Sequence, residues 1–144
     1  LGINPYLLVA FSLLEIQILR YNYVMANILL IDDDHALQTM YTTVLESAGH
    51  KVTIANNGEE GLILINQYPI DLILLDVDMP VMDGFEFLET YDRKKHSAKI
   101  IILTNSNDVE LINRAIALGA NNYIDKANVT PAAMGQIVDG VLSN

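Results

Sequence analysis

Three unbroken runs of Ile and Leu constrain the fold of this chain more than any other feature: Ile28-Leu29-Leu30-Ile31, Leu72-Ile73-Leu74-Leu75 and Ile100-Ile101-Ile102-Leu103. A strand with one solvated face alternates apolar with polar residues, and these do not. They read as strands buried on both faces, which is the pattern of a parallel sheet with helices packed on either side. The segments between them carry helical spacing. Leu37, Met40, Tyr41, Val44, Leu45 and Ala48 recur at close to 3.6 residues, and Gly49 follows as a left-handed stop. Asn57-Gly58 breaks the chain before a second helix, Asp83 or Gly84 opens a third, Asn107 caps a fourth that Gly119 closes, and Thr130-Pro131 starts a fifth. The spacing predicts strands over 27–31, 51–55, 71–75, 99–103 and 122–124, and helices over 35–48, 58–67, 84–92, 107–118 and 131–142. Such alternation is an α/β, three-layer sandwich. Right-handed crossovers leave few topologies, and the flavodoxin-like five-stranded order 2-1-3-4-5, with helices on both faces, is the expected one.

Each apolar run ends at a residue that can do chemistry. Asp32 and Asp33 follow the first, Asp76 the second, Thr104 the third, and Lys126 follows Tyr123-Ile124. In the expected topology these residues share the carboxyl edge of the sheet, with the acids at the switch point between strands one and three, where such folds place ligands. Two carboxylates about 4 Å apart repel by roughly 4 kcal/mol at an effective dielectric near 20. The site must therefore hold a proton or a cation. Oxygen ligands with no His or Cys favour Mg²⁺. Asp76 could then act as a nucleophile toward a phosphoryl group, with Lys126 and Thr104 on its oxygens. Taken singly, each residue has a plainer role: Asp34 as a helix cap beside the acid doublet, Lys126 as a surface lysine, Thr104 as a strand-end hydroxyl. Their joint placement is what carries the functional reading.

Composition removes several rivals. The 144 residues suit one domain, and the absence of cysteine excludes disulfides, thiolate metal sites and thiol catalysis. The net charge is −10, and because Glu15 and Arg20 cancel, the excess lies after residue 25. An acidic domain repels nucleic acid and anionic membranes at long range, so neither is an expected partner. The one basic cluster, Arg93, Lys94, Lys95 and Lys99, reads as a solvated loop. His35, His50 and His96 have no metal-ligand spacing, and His35 reads as a helix-start surface residue. No nucleotide-binding glycine motif or nucleophile elbow is present. Residues 1–24 differ from the rest. Their apolar run is interrupted by Glu15 and Arg20, too short to span a bilayer, and lacks the flanks of a secretory signal. With Met25 directly before the first strand, residues 1–24 are expected to be an extension outside the native domain, which then covers 25–144 and is expected to be cytoplasmic.

The motifs Ile-Leu-Leu-Ile-Asp32-Asp33-Asp34, Asp71-Leu-Ile-Leu-Leu-Asp76-Val-Asp78-Met79-Pro80-Val-Met-Asp83-Gly84, Ile-Ile-Leu-Thr104 and Gly119-Ala-Asn-Asn-Tyr123-Ile-Asp-Lys126 closely resemble the receiver domain of two-component response regulators, of the stand-alone type, over about residues 26–142. The resemblance implies that Asp76 is the phosphoacceptor. It also implies that Asp33 binds Mg²⁺ directly, Asp32 through water, and Asp78 through its backbone carbonyl. Thr104 and Lys126 would contact the phosphoryl group, Thr104 and Tyr123 would form the switch, and Asp78, Asn105 and Ser106 would tune the lifetime of the phosphoryl group. The implied partners are a sensor histidine kinase or histidine phosphotransfer protein upstream and an unknown protein downstream, with the chain a monomer or a phosphorylation-dependent homodimer.

Two positions depart from the family pattern. Ala127 stands where proline usually follows the lysine. A cis bond there would cost about 2.5–4 kcal/mol, which leaves the conformation of the Lys126–Ala127 bond and the reach of Lys126 open. Asn105 replaces a usual small residue and narrows access beside the site, so Asn105→Ala is expected to change the dephosphorylation rate. Two other functions compete. A phosphohydrolase of the haloacid dehalogenase type is imitated by Asp76-Val77-Asp78, but it places its nucleophile on the first strand and its acid doublet late. A phosphorylation-independent interaction module would not require Asp32, Asp33, Asp76, Thr104 and Lys126 together.

Overall fold

The computed structural model describes residues 2, 4–7, 9, 10, 12–15 and 25–144. The assignment of residues 1–24 to an extension falls mostly on residues outside that set. From Asn27 the chain runs β1 (Asn27–Ile31), α1 (His35–Ser47), β2 (Lys51–Ala55), α2 (Gly58–Gln67), β3 (Leu72–Asp76), α3 (Gly84–Thr90), β4 (Lys99–Thr104), α4 (Val109–Ala117), β5 (Asn122–Asp125) and α5 (Pro131–Leu142). The five strands form one sheet in the order β2-β1-β3-β4-β5, and every pairing is parallel. This is the doubly covered α/β fold that the Ile/Leu runs predict.

Alternate residues of the central strands feed two cores. Ile28, Leu30, Leu72, Leu74, Ile101 and Leu103 pack against Tyr41 and Leu45 of α1 and Met134, Val138 and Val141 of α5. Leu29, Ile31, Ile73, Leu75, Ile100 and Ile102 pack on the opposite face against Ile65 of α2, Phe87 and Leu88 of α3 and Ala115 of α4. All twelve strand residues are fully buried, and each Leu or Ile contributes about 1.5–3 kcal/mol by leaving water. A polar substitution in these runs would damage one core or the other, which is why the sequence shows no alternation there.

The caps follow the sequence with one correction. Asp34 caps α1, Asn57 caps α2, Asp83 forms a capping box with Glu86 at α3, and Thr130 caps α5. Gly49 and Gly119 have positive φ angles of 94° and 99°. The cap of α4 is Asp108, not Asn107: its carboxylate accepts from the Glu110 N–H, and the helix starts two residues later than expected. β3 and β4 each run one residue further than the apolar count, so Asp76 and Thr104 are the last residues of their strands. Asp71, expected in β3, lies just before it, where its carboxylate accepts from the Asn27 N–H at 2.7 Å.

The basic cluster is also not a solvated loop throughout. Lys99 belongs to β4, and its ammonium donates to the Val141 carbonyl at 2.8 Å. Arg93 donates to the Leu118 carbonyl at 2.9 Å, closing the C-terminal end of α4. Lys95 donates to Asn66.

Candidate functional site

The carboxyl edge of the sheet collects the acids. In the register, Ile31 pairs with Leu75 and Asp76 with Leu103, so the acids after β1 and at the end of β3 are neighbours by construction. Carboxylate oxygens of Asp32, Asp33 and Asp76 all lie within 4.8 Å of one another. Asp32 and Asp76 are buried, and Asp33 is exposed. Asp32 Oδ1 accepts from the Asp34 N–H at 2.9 Å. Its Oδ2 is shielded from solvent and finds no aligned hydrogen-bond donor, although the Lys126 ammonium lies 2.8 Å away as an ion pair. Lys126 Nζ also stands 3.2 Å from Asp76 Oδ2. Asp76 Oδ1 accepts only weakly from the Asp78 N–H, at 3.4 Å.

One ammonium facing three carboxylates leaves excess negative charge in a closed space. Burial pushes the Asp76 carboxyl up to about 6, with Lys126 opposing and Asp32 adding to the rise. Burial works against the Lys126 ammonium, but the Asp32 and Asp76 carboxylates outweigh it and hold its pKa above the ordinary lysine value. A buried Asp32 oxygen without an aligned donor and an all-oxygen cluster fit a hard divalent cation such as Mg²⁺.

Lys126 reaches the acids without proline after it. No described peptide bond is cis, so Lys126–Ala127 is trans. The Lys126 N–H donates to the Thr104 carbonyl at 2.8 Å, and Asp125 accepts from the Ala127 N–H and the Asn128 amide. Those bonds hold the turn after β5 and draw the Asp125 carboxyl below its ordinary value, Asn128 contributing most.

Thr104 is buried at the end of β4, with its hydroxyl turned toward the following loop: Oγ1 accepts from the Ser106 N–H at 3.0 Å and donates to the Ser106 carbonyl at 3.3 Å. The Ser106 hydroxyl accepts from the Asp108 N–H at the start of α4. Asn105 and Asp78 are exposed. Tyr123 is 41% exposed, so its ring stands outside rather than behind Thr104. Asp32, Asp33, Asp76 and Lys126 therefore converge, whereas the Thr104 hydroxyl is engaged by Ser106 and Tyr123 stands on the outer surface.

Residues 28–139 match the family described as the response regulator receiver domain. The chain belongs to that family. The receiver is 39% identical over 102 residues to the transcriptional regulatory protein AfsQ1 of Streptomyces coelicolor, covering 71% of this chain and 45% of that protein. It is 37% identical over 99 residues to the cell cycle transcriptional regulator CtrA of Caulobacter vibrioides, covering 69% and 43%. It thus spans less than half the length of these curated relatives. Among solved structures, Vibrio cholerae chemotaxis protein CheY4 superposes with a TM-score of 0.76 at 30% identity, over 82% of this chain and 99% of that one. A CheY-like receiver domain protein from Methanospirillum hungatei gives 0.76 at 32% identity, over 83% and 94%.

Sequence reasoning missed a chain of polar residues beside Asp32, and also His50 at the opposite, amino-terminal edge of the receiver's sheet. Gln38 is buried and donates to the Asp32 carbonyl at 2.6 Å and to Asn56 Oδ1 at 3.0 Å. Asn56 in turn donates to Glu60. Gln38 sits on the apolar stripe of α1, between Leu37 and Tyr41, and a polar residue in an apolar stripe was the available signal. His50, read as scattered, is buried as well. It accepts from the Ala26 N–H at 3.3 Å and lies 3.6 Å from Asp139.

Proposed function

We propose that this receiver is a phospho-accepting switch whose acceptor is Asp76. The observation that carries the reading is the joint one: three carboxylates within 4.8 Å, with a buried lysine between two of them. A carboxylate oxygen of Asp76 attacks the phosphorus of a phosphohistidine on a kinase or phosphotransfer protein. The new O–P bond forms as the N–P bond breaks, and the imidazole leaves with the electron pair and takes a proton from solvent. Asp32 and Asp33, with Asp76 and the Asp78 carbonyl, would hold Mg²⁺, which when bound neutralises charge shared by the carboxylates and the entering phosphoryl group. Lys126 exchanges its contact with Asp76 Oδ2 for a phosphoryl oxygen. Thr104 gives up the Ser106 backbone for another.

That exchange is the trigger. Thr104 now holds the loop leading into α4, and releasing it frees the start of that helix. Tyr123 then has room to turn inward. The affected face includes Val109, Ile116 and Tyr123, all exposed apolar residues, and it borders β5, the edge strand. A downstream protein, or a second phosphorylated copy, reads this face. Reversing a population from 1:99 to 99:1 takes about 5.5 kcal/mol of differential stabilisation, which a few charge-assisted hydrogen bonds of about 1.5–3 kcal/mol each can supply.

The test is a comparison of two fates for a small phosphodonor. With acetyl phosphate and Mg²⁺, a hydroxylamine-labile adduct mapping to Asp76 supports the switch. Sustained turnover of phosphate monoesters without accumulation of the adduct would instead mark a phosphohydrolase.

A further inference from the structure

We propose that Gln38 is a positioning residue for the acidic pair and sets the affinity of the site for its divalent cation. The proposal rests on reading Asp32, Asp33 and Asp76 as the metal site. Gln38 lies in the first turns of α1, buried, with its amide fully engaged. Its Nε2 donates both N–H groups, to the Asp32 carbonyl at 2.6 Å and to Asn56 Oδ1 at 3.0 Å. Its Oε1 must then accept, and the partner is His35 Nδ1 at 3.0 Å, which fixes the proton of that ring on Nδ1. The direction of the chain is set at the other end too. Asn56 offers its oxygen to Gln38 and donates its own Nδ2 and backbone N–H to Glu60 Oε2, at 2.9 and 2.8 Å. A carboxylate on α2 thus orients Asn56, Asn56 orients Gln38, and Gln38 grips the carbonyl of Asp32.

That carbonyl belongs to the peptide joining Asp32 to Asp33. On its other side the Asp32 N–H donates to the Ala55 carbonyl at 3.1 Å. Gln38 therefore completes the anchoring of the backbone from which the two acids diverge. The carboxylates repel, and without an anchor the peptide can rotate to separate them. Held in place, they keep the spacing that a cation needs, so less ordering accompanies its binding. His35 and Asn56 both bond Gln38, and in the proposal they act on the metal site through it.

The experiment measures Mg²⁺ affinity of the whole chain by calorimetric titration, for the wild type, Gln38→Leu and Asn56→Ser, with thermal unfolding of each. Gln38→Leu is expected to weaken Mg²⁺ binding by about tenfold. Asn56→Ser, which removes the amide oxygen that accepts from Gln38 and the Nδ2 bond to Glu60 but keeps the backbone N–H to Glu60 and the Asp32 contact, is expected to weaken it about threefold. Phosphorylation of Gln38→Leu by acetyl phosphate should be slow at limiting Mg²⁺ and return to the wild-type rate at saturation, a split that a merely structural loss would not produce. If Gln38→Leu does not fold, Asn56→Ser decides. Affinity within twofold of wild type in the deciding variant overturns the proposal while leaving the phosphoacceptor reading intact. A wild-type chain that binds no Mg²⁺ overturns both.

Discussion

At the scale of single residues, the site stores unfavourable charge in a carboxyl that the fold would rather keep protonated. Asp76 titrates near 6 in the folded chain, above its ordinary value, so the folded state holds that proton more tightly than the unfolded state. The stability this proton contributes is complete below about pH 4 and lost as pH rises through about 6. A difference of about two pH units corresponds to about 3 kcal/mol. Without divalent metal, Asp76→Asn is therefore expected to flatten the stability profile between about pH 4 and 6. It should also be more stable than wild type at neutral pH by roughly 1–3 kcal/mol, read from urea unfolding in chelator. A second cost sits at Val81, a β-branched residue with φ of 71° in the loop between β3 and α3. Its side chain is exposed, so little packing offsets the strain. Val81→Gly should raise stability by about 1 kcal/mol in the same assay. The third expectation at this scale, a changed dephosphorylation rate in Asn105→Ala, is read from the decay of the adduct; an unchanged decay would remove Asn105 from the rate-tuning residues.

The elements show where close approach of backbone, rather than side-chain chemistry, shapes the site. Gly84 opens α3 against the end of β3, and its N–H donates to the Val77 carbonyl at 3.0 Å. A Cβ at this position would lie 2.4 Å from the Asp76 carbonyl oxygen and 2.9 Å from Val77 Cα, both backbone atoms that cannot swing aside. Gly84→Ala should cost about 2–4 kcal/mol by denaturant unfolding and slow phosphorylation by displacing Asp76. Full stability and an unchanged rate would contradict that. The same level shows how far the sequence could be read. Ile/Leu runs with no polar alternation admit only a doubly covered sheet, and this placed β1, β3 and β4 and the acids at their ends. The start of α4 was misjudged because Asn107 and Asp108 are both good caps, and only the contact of Asp108 with the Glu110 N–H separates them. The bonds of Lys99 to Val141 and of Arg93 to Leu118 were invisible for another reason. They join residues 42 and 25 positions apart, which no local pattern encodes. Gln38 left a local signal, a polar residue in the apolar stripe of α1, but its partner Asn56, 18 positions away after β2, was invisible for the same reason.

Across the whole molecule, two apolar layers hold a parallel sheet whose carboxyl edge carries more negative charge than one lysine can balance. The chain has a net charge of −10, and the pocket concentrates part of it where burial makes charge costly. Among the described residues no helix is long and apolar enough to cross a membrane. In the proposed switch, signal output lies with the face around α4, β5 and α5, which carries exposed Val109, Ile116 and Tyr123 and follows a β4–α4 loop fastened through Thr104 and Ser106. In that proposal the link between pocket and face is the Thr104 hydroxyl, released when the pocket accepts a phosphoryl group. The deciding measurement is the intact mass of the chain after incubation with acetyl phosphate, with Mg²⁺ and with chelator in its place. The account predicts one phosphoryl adduct with Mg²⁺, none with chelator, and none in Asp76→Asn under either condition; an adduct of equal yield in chelator, or in Asp76→Asn, would contradict it.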